Sequence, residues 1–281
     1  MLSNILEAIN NISLAPSISN NLITTYSSGI RINNVGEGLE TFIKDAFSNS
    51  LLEENYSQKL LNYQEVFSWT GNQNHPPDIM IKNSDAIEVK KTQSANTDLA
   101  LNSSYPKTTL LSSDPMITQD CKICEEWSEK DIIYTVGHVN GSSLKSLWMV
   151  YGSLYAANHL TYKVIKEKIS EGIREIPNVE LAATKELGRV NRVDPLGITN
   201  LRIRGMWQIQ NPRKAFNYLY SDSYENFELV SVIPLDKYNS FPNESRLKVE
   251  NNSLISINDI LVKNPNNPVQ LIEAKLIVLK N

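Results

Sequence analysis

Three residues between Pro77 and Lys90 have the types and spacing to carry chemistry: Asp78, Glu88 and Lys90. Asp78 opens a short apolar run, Ile79-Met80-Ile81, and Asn83, Ser84 and Asp85 after it are turn formers. Ala86 to Val89 frames a second run, so the segment reads as two strands joined by a tight turn. Side chains alternate along a strand, which puts Glu88 and Lys90 on one face, and the turn folds Asp78 back beside them. Two carboxylates are hard oxygen ligands suited to Mg2+, which keeps other positions for water and phosphate oxygen. An ion held there polarises a phosphate and activates a water. A lysine two residues past a carboxylate orients that water and offsets charge in the transition state.

This is the PD…(D/E)xK pattern, and it resembles the nucleases of that superfamily. A rival stands near the end of the chain. Leu271-Ile272-Glu273-Ala274-Lys275-Leu276-Ile277 is also an apolar strand with Glu-x-Lys, and Asp259 lies upstream. The first copy is preferred because Asp259 lacks the Pro-Asp entry and little chain follows the second copy.

The elements that must position Asp78, Glu88 and Lys90 are legible on either side. Leu2, Ile5, Leu6 and Ile9 recur at helical spacing and predict a helix over about 2–13, ended by Pro16. Val35, Leu39, Phe42, Ile43 and Ala46 form the stripe of a second helix reaching about Ser48. Asn34 and Glu37 have capping-box spacing at its start. Glu40 borders that stripe, where it can reach inward beside a sheet. Gly36 and Glu40 also match the Gly-x-x-x-Glu helix that the nucleases resembled here often carry ahead of the motif, and that resemblance implies that Glu40 joins Asp78 and Glu88 as a metal ligand. Gln64 to Trp69 reads as a strand, and Gly71 to Pro76 as the loop that delivers Pro77-Asp78. Asp131 to Val139 predicts a further strand. Leu144, Leu147, Trp148, Tyr151, Leu154 and Tyr155 recur at helical spacing and predict a helix, as do residues 162–176. Asn211-Pro212 reads as N-cap and first turn of a helix to about Tyr220. From Phe227 onward the pattern is strand-like. The whole predicts an α/β chain: a mixed central β-sheet flanked by helices, with an added β-rich C-terminal part.

Composition bounds the partners. The 281 residues carry 27 Lys and Arg against 31 Asp and Glu, a net charge of −4. The chain is no general polyanion binder, so DNA must meet a local patch. Lys185 to Lys214 supplies one, with seven basic residues against two acidic. Within it Arg202 and Arg204 alternate on one strand face, and guanidinium forks suit guanine edges and phosphates. Arg189 and Arg192 lie in the same stretch. Lys91, Asn102, Ser103, Ser104 and Lys107, at and after the end of the second predicted strand, suit phosphates and base edges as well. No apolar run approaches a membrane span and no leader pattern opens the chain, so a cytoplasmic location is expected. Cys121 and Cys124 form one CxxC, read as two reduced thiols. No phosphate-binding loop of the Walker type is present.

Longer strings resemble the NgoPII-type family of type II restriction endonucleases. They are Asn34-Val35-Gly36-Glu37 with Leu39-Glu40, Gly71-Asn72 through Asp78, Glu88 through Lys91, Leu99 through Lys107, and Asp194-Pro195-Leu196-Gly197 leading to Arg202 through Trp207. The resemblance implies a restriction-endonuclease-like core in a single domain over 1–281. The catalytic core would cover about 30–160 and the recognition elements about 94–107 and 180–214. It also implies Mg2+-dependent cleavage of a short palindrome, GGCC in the family, by a homodimer, with a cognate DNA methyltransferase as genetic partner. Two alternatives stay open: a structure-specific repair or recombination nuclease on the same core, and a non-catalytic DNA-binding protein with a degenerate core.

Overall fold

The computed structural model describes residues 3–20, 22, 35–72, 75–223 and 225–280. The chain opens with α1 (Ile5–Ser13) and α2 (Pro16–Asn20), then α3 (Val35–Phe47) and α4 (Tyr56–Val66). Three strands follow, β1 (Phe67–Asn72), β2 (His75–Ile81) and β3 (Ala86–Thr92), then two short ones, β4 (Leu99–Asn102) and β5 (Thr109–Leu111). After α5 (Gln119–Ile123) come β6 (Glu129–Asn140), β7 (Ser143–Tyr151), α6 (Gly152–Tyr155) and α7 (His159–Arg174). Residues 180–215 hold β8 (Glu180–Leu181), β9 (Gly188–Asn191), β10 (Leu201–Ile203), β11 (Trp207–Ile209) and α8 (Pro212–Ala215). The chain closes with β12 (Glu228–Pro234), α9 (Leu235–Ser240), α10 (Asn243–Glu250), β13 (Ile255–Asn264) and β14 (Asn267–Lys280).

The principal sheet runs β1-β2-β3-β6-β7-β12-β14-β13, with β5 beside β6. It is mixed: β3 pairs parallel with β6 and β7 parallel with β12, while the other neighbours are antiparallel. Alternation along its strands feeds two cores. Ile79, Ile87, Ile133 and Met149 face α1 and α3 on one side, with Ile5, Leu6, Leu39 and Phe42 packed on them. Met80, Ala86, Tyr134, Trp148 and Val150 face the other side, against Leu99, Leu101, Leu110 and Phe216. The α/β class, the mixed sheet and the strand-rich C-terminal part agree with the sequence reading.

Several local readings do not. Leu144 to Tyr151 is strand β7, because this strand is central and buried on both faces. Its apolar residues are therefore nearly continuous, and a continuous run contains helical spacing by accident. Gln64 to Val66 ends helix α4. That helix buries none of its residues, so it has no apolar stripe to read, although Asn55 caps it by accepting from Ser57 and Gln58. The helix after Asn211 stops at Ala215, although Asn211 does cap it. Asn34, the proposed cap of α3, lies outside the described residues.

Candidate active site

β2 and β3 form the hairpin that the sequence implies, with Ile79 opposite Ile87 and Met80 opposite Ala86. The turn closes through Ser84 N–H to Ile81 O at 3.1 Å, and Asn83 takes the left-handed conformation that asparagine tolerates. Buried charge clamps this end. Lys130 donates to the carbonyls of Ile81 and Ser84 at 3.1 and 2.6 Å and pairs with Glu125 at 2.5 Å. Asp85 accepts from Tyr151 at 2.7 Å and from Lys237 at 2.6 Å.

At the other end the strands part, and the side chains take over. Asp78 accepts the Val89 N–H at 2.7 Å through Oδ2, so a carboxylate substitutes for a ladder bond. Glu88 Oε1 accepts from Lys90 Nζ at 2.6 Å. Glu88 Oε2 is buried with no hydrogen-bond partner among the described residues. Burial, and then the neighbouring Glu88 charge, pushes the Asp78 carboxyl up to about 7, against the opposing pull of Lys90. Burial works to lower Lys90, but the Glu88 and Asp78 carboxylates outweigh it and hold the ammonium above its usual range. The three residues chosen from the sequence therefore converge.

Glu40 arrives from the opposite face of the sheet. At Gly137 in β6 a Cβ would stand 2.7 Å from Leu39 Cδ2, so the glycine leaves room for the Leu39 side chain of α3 against the sheet. The seating brings Glu40 near enough for its charge to act on both Asp78 and Lys90. Glu40 itself pairs with Lys44 at 2.7 Å, one helical turn on. Gly71 performs a similar service for β2, since a Cβ there would meet Pro77 O at 2.4 Å.

The arrangement fits a divalent cation. A buried carboxylate oxygen without a donor, beside a second carboxyl resisting ionisation, is a site short of positive charge. Among the described residues no three His, Cys, Asp or Glu side chains cluster closely enough to hold an ion alone. Asp78 and Glu88 would be the direct protein ligands, leaving positions for water and substrate oxygen.

Residues 3–263 match the NgoPII restriction endonuclease family. The chain is 48% identical over 277 residues to the type II restriction enzyme NgoPII of Neisseria gonorrhoeae, covering 98% of each chain. The chain belongs to the NgoPII restriction endonuclease family. No solved structure matches it. As a restriction endonuclease it is a site-specific deoxyribonuclease that acts on double-stranded DNA. Enzymes of this type are generally dependent on a divalent metal.

In this member of the NgoPII family the two stretches proposed for recognition meet. β4 pairs with β11, setting Asn102 opposite Trp207 and Leu99 opposite Ile209. Tyr105 stacks on Tyr162 of α7 at 5.8 Å, and Trp207 meets both rings edge-on. No sequence signal announced that cluster, since Tyr105, Tyr162 and Trp207 come from three separate stretches. Ser103, Ser104 and Lys107 line a cavity of about 640 Å³ between this cluster, α7 and Glu186. Lys107 is buried and paired with Asp114, and its backbone is held by the Tyr134 hydroxyl. Tyr134 stands opposite Glu88 in the β3–β6 pairing, so it ties this segment to β3. Lys91 is half-buried on β3, and burial lowers its ammonium pKa.

The basic region is less bare than its count suggested. Arg192 pairs with Glu180, Arg202 and Arg204 with Glu186, Arg213 with Asp222, and Lys214 with Asp98. Three of those carboxylates lie outside the stretch that was counted. Arg189 is exposed, and its side chain bonds only to Asn191 among the described residues. Both cysteines are free thiols, and Cys121 Sγ packs 3.4 Å from Met80 Sδ behind the hairpin. No described helix is long and apolar enough to cross a membrane.

Proposed function

We propose that this enzyme hydrolyses a phosphodiester bond in each strand of a short palindromic site, using Mg2+ at Asp78 and Glu88, with Lys90 as the catalytic cation. The observation that carries the reading is the convergence of these side chains around the partnerless Glu88 Oε2. When bound, the ion supplies Lewis-acid polarisation of the phosphate and a water of lowered pKa. Asp78 and Glu88 would present their oxygens to the ion in a half-buried setting, where electrostatic interactions are stronger than in water and where the ion would offset the burial that opposes Asp78 ionisation. Lys90 stays protonated and offers donors from Nζ to the phosphate oxygens and the attacking water. Glu40 would add negative charge from α3 to the surroundings of the ion.

The resemblance to the family suggests GGCC as the site and a homodimer as the acting form, in keeping with a palindrome read by two-fold symmetry. DNA would lie along β4, β11 and the β8–β10 sheet. A methyltransferase protecting the same sequence is the expected genetic partner. The test is digestion of unmethylated plasmid in Mg2+ and in chelator, with the ends sequenced. Discrete fragments sharing one site are expected. Structure-dependent nicking, or cutting unaffected by Asp78→Asn, would overturn the proposal.

A further inference from the structure

Glu186 occupies a position that neither the motif nor the basic count anticipated. Its Oε1 accepts from Arg202 Nη2 at 2.5 Å and from Arg204 Nε at 2.5 Å, and its Oε2 accepts from Arg202 Nε at 3.0 Å. The carboxylate is 17% exposed, whereas the arginine side chains are 56% and 54% exposed. It is set in place by the link between β8 and β9. There Glu186 N–H donates to Thr184 Oγ1, and Leu187 N–H donates to Ile203 O beside β10. Glu186 also stands where two cavities meet. One, of about 640 Å³, reaches Lys107, and the other, of about 520 Å³, reaches Arg189, Arg202 and Arg204. Ion pairs this exposed add little to stability, so the fold has small need of the trio.

We propose that Glu186 is a specificity-determining residue: it holds Arg202 and Arg204 in the free enzyme and yields them only to a base edge that satisfies all three side chains. The inference rests on the reading that this surface faces DNA. A phosphate can take a guanidinium from Glu186, but it then brings its own charge against the carboxylate it has uncovered. Non-specific backbone contact is thereby penalised. A guanine edge offers O6 and N7 as acceptors for an arginine fork, and the amino group of a cytosine offers the freed carboxylate a donor. A major-groove edge rich in G·C pairs meets those needs together. The carboxylate thus turns two general phosphate binders into conditional base readers.

The test uses the full-length enzyme and two duplexes, one carrying the site mapped from its own plasmid ends and one lacking it. Binding is measured over a salt series in metal-free buffer. Glu186→Gln should tighten binding to the siteless duplex by about tenfold and steepen its salt slope by about one per released arginine. The ratio between the two duplexes should fall accordingly, and cutting at sites with one altered base pair should appear once divalent cation is restored. Glu186→Asp keeps the charge and should retain most of the discrimination. Glu186→Gln with the parental ratio and slope would overturn the inference, as would equal loss in Glu186→Asp, which would mark a packing role. Arg202→Ala and Arg204→Ala separate the two levels. If neither changes binding to the cognate duplex, the reading of this surface falls. If they do and Glu186→Gln does not, only the inference falls.

Discussion

Two copies of Glu-x-Lys sit on strands of the same sheet, at 88–90 and 273–275, and only their surroundings distinguish them. Glu88 and Lys90 lie inside the sheet on β3, with side chains 14% and 24% exposed and joined at 2.6 Å. A neighbouring strand places Asp78 beside them. Glu273 is exposed, and Lys275 reaches across the β13–β14 hairpin to Asp259 at 2.8 Å, a carboxylate 76% exposed. β13 is the sheet's edge, so water screens that pair. The same local sequence gives a cross-strand surface pair in one place and a charge-starved pocket in the other. Desolvation makes the difference, because it pushes Asp78 up and leaves Glu88 Oε2 without a donor.

The largest test of that contrast is kinetic. Lys90→Ala should lower cleavage by at least about 10²–10³-fold, the loss expected for one transition-state donor. Lys275→Ala should cut at the parental rate. The reverse result in a plasmid assay would move the active site to the end of the chain.

Stability should separate the regions next. Lys130→Ala removes one partner of a buried pair behind the β2–β3 turn and should cost on the order of 3–5 kcal/mol in denaturant melts. Asp259→Ala breaks the exposed pair and should cost about 0–1 kcal/mol. Similar costs for both would deny that burial sets them apart.

A smaller effect concerns α3. Glu40→Gln should weaken the metal dependence of cleavage more than Glu37→Gln, because Glu40 alone of the two acts on Asp78 and Lys90. A Mg2+ titration of both variants decides it, and the opposite ranking would exclude Glu40 from the site.

A separate test is the pH dependence of the metal-free protein. Asp78 takes its proton at about 7 in the fold. In the unfolded chain it does so near the ordinary value of about 3.9. Between these values the folded state holds a proton that the unfolded state has lost, so stability falls as pH rises through the window and stays lower above it. Asp78→Asn should therefore melt higher than the parent at pH 8 and with it near pH 4. Parallel curves for the two proteins across that range would show that Asp78 carries no such strain.

How much could be read in advance follows the same division. Alternation along β2 and β3, the turn between them and the stripe of α3 were legible, because each is a local pattern with a local cause. The helical reading failed over Leu144 to Tyr151, because a central strand buried on both faces loses its alternation, and held only for Leu154 and Tyr155. Helix α4 was missed because it buries none of its residues and so shows no stripe. The sequence by itself determined which residues could do the chemistry, the order of most elements and the family. Only the tertiary structure decided which Glu-x-Lys is desolvated, and that β4 joins β11 across more than a hundred residues. It also decided that Glu186 and three carboxylates outside the basic stretch hold most of its cations. Burial and ion pairing depend on distance in space, and distance in space is what a linear pattern does not carry.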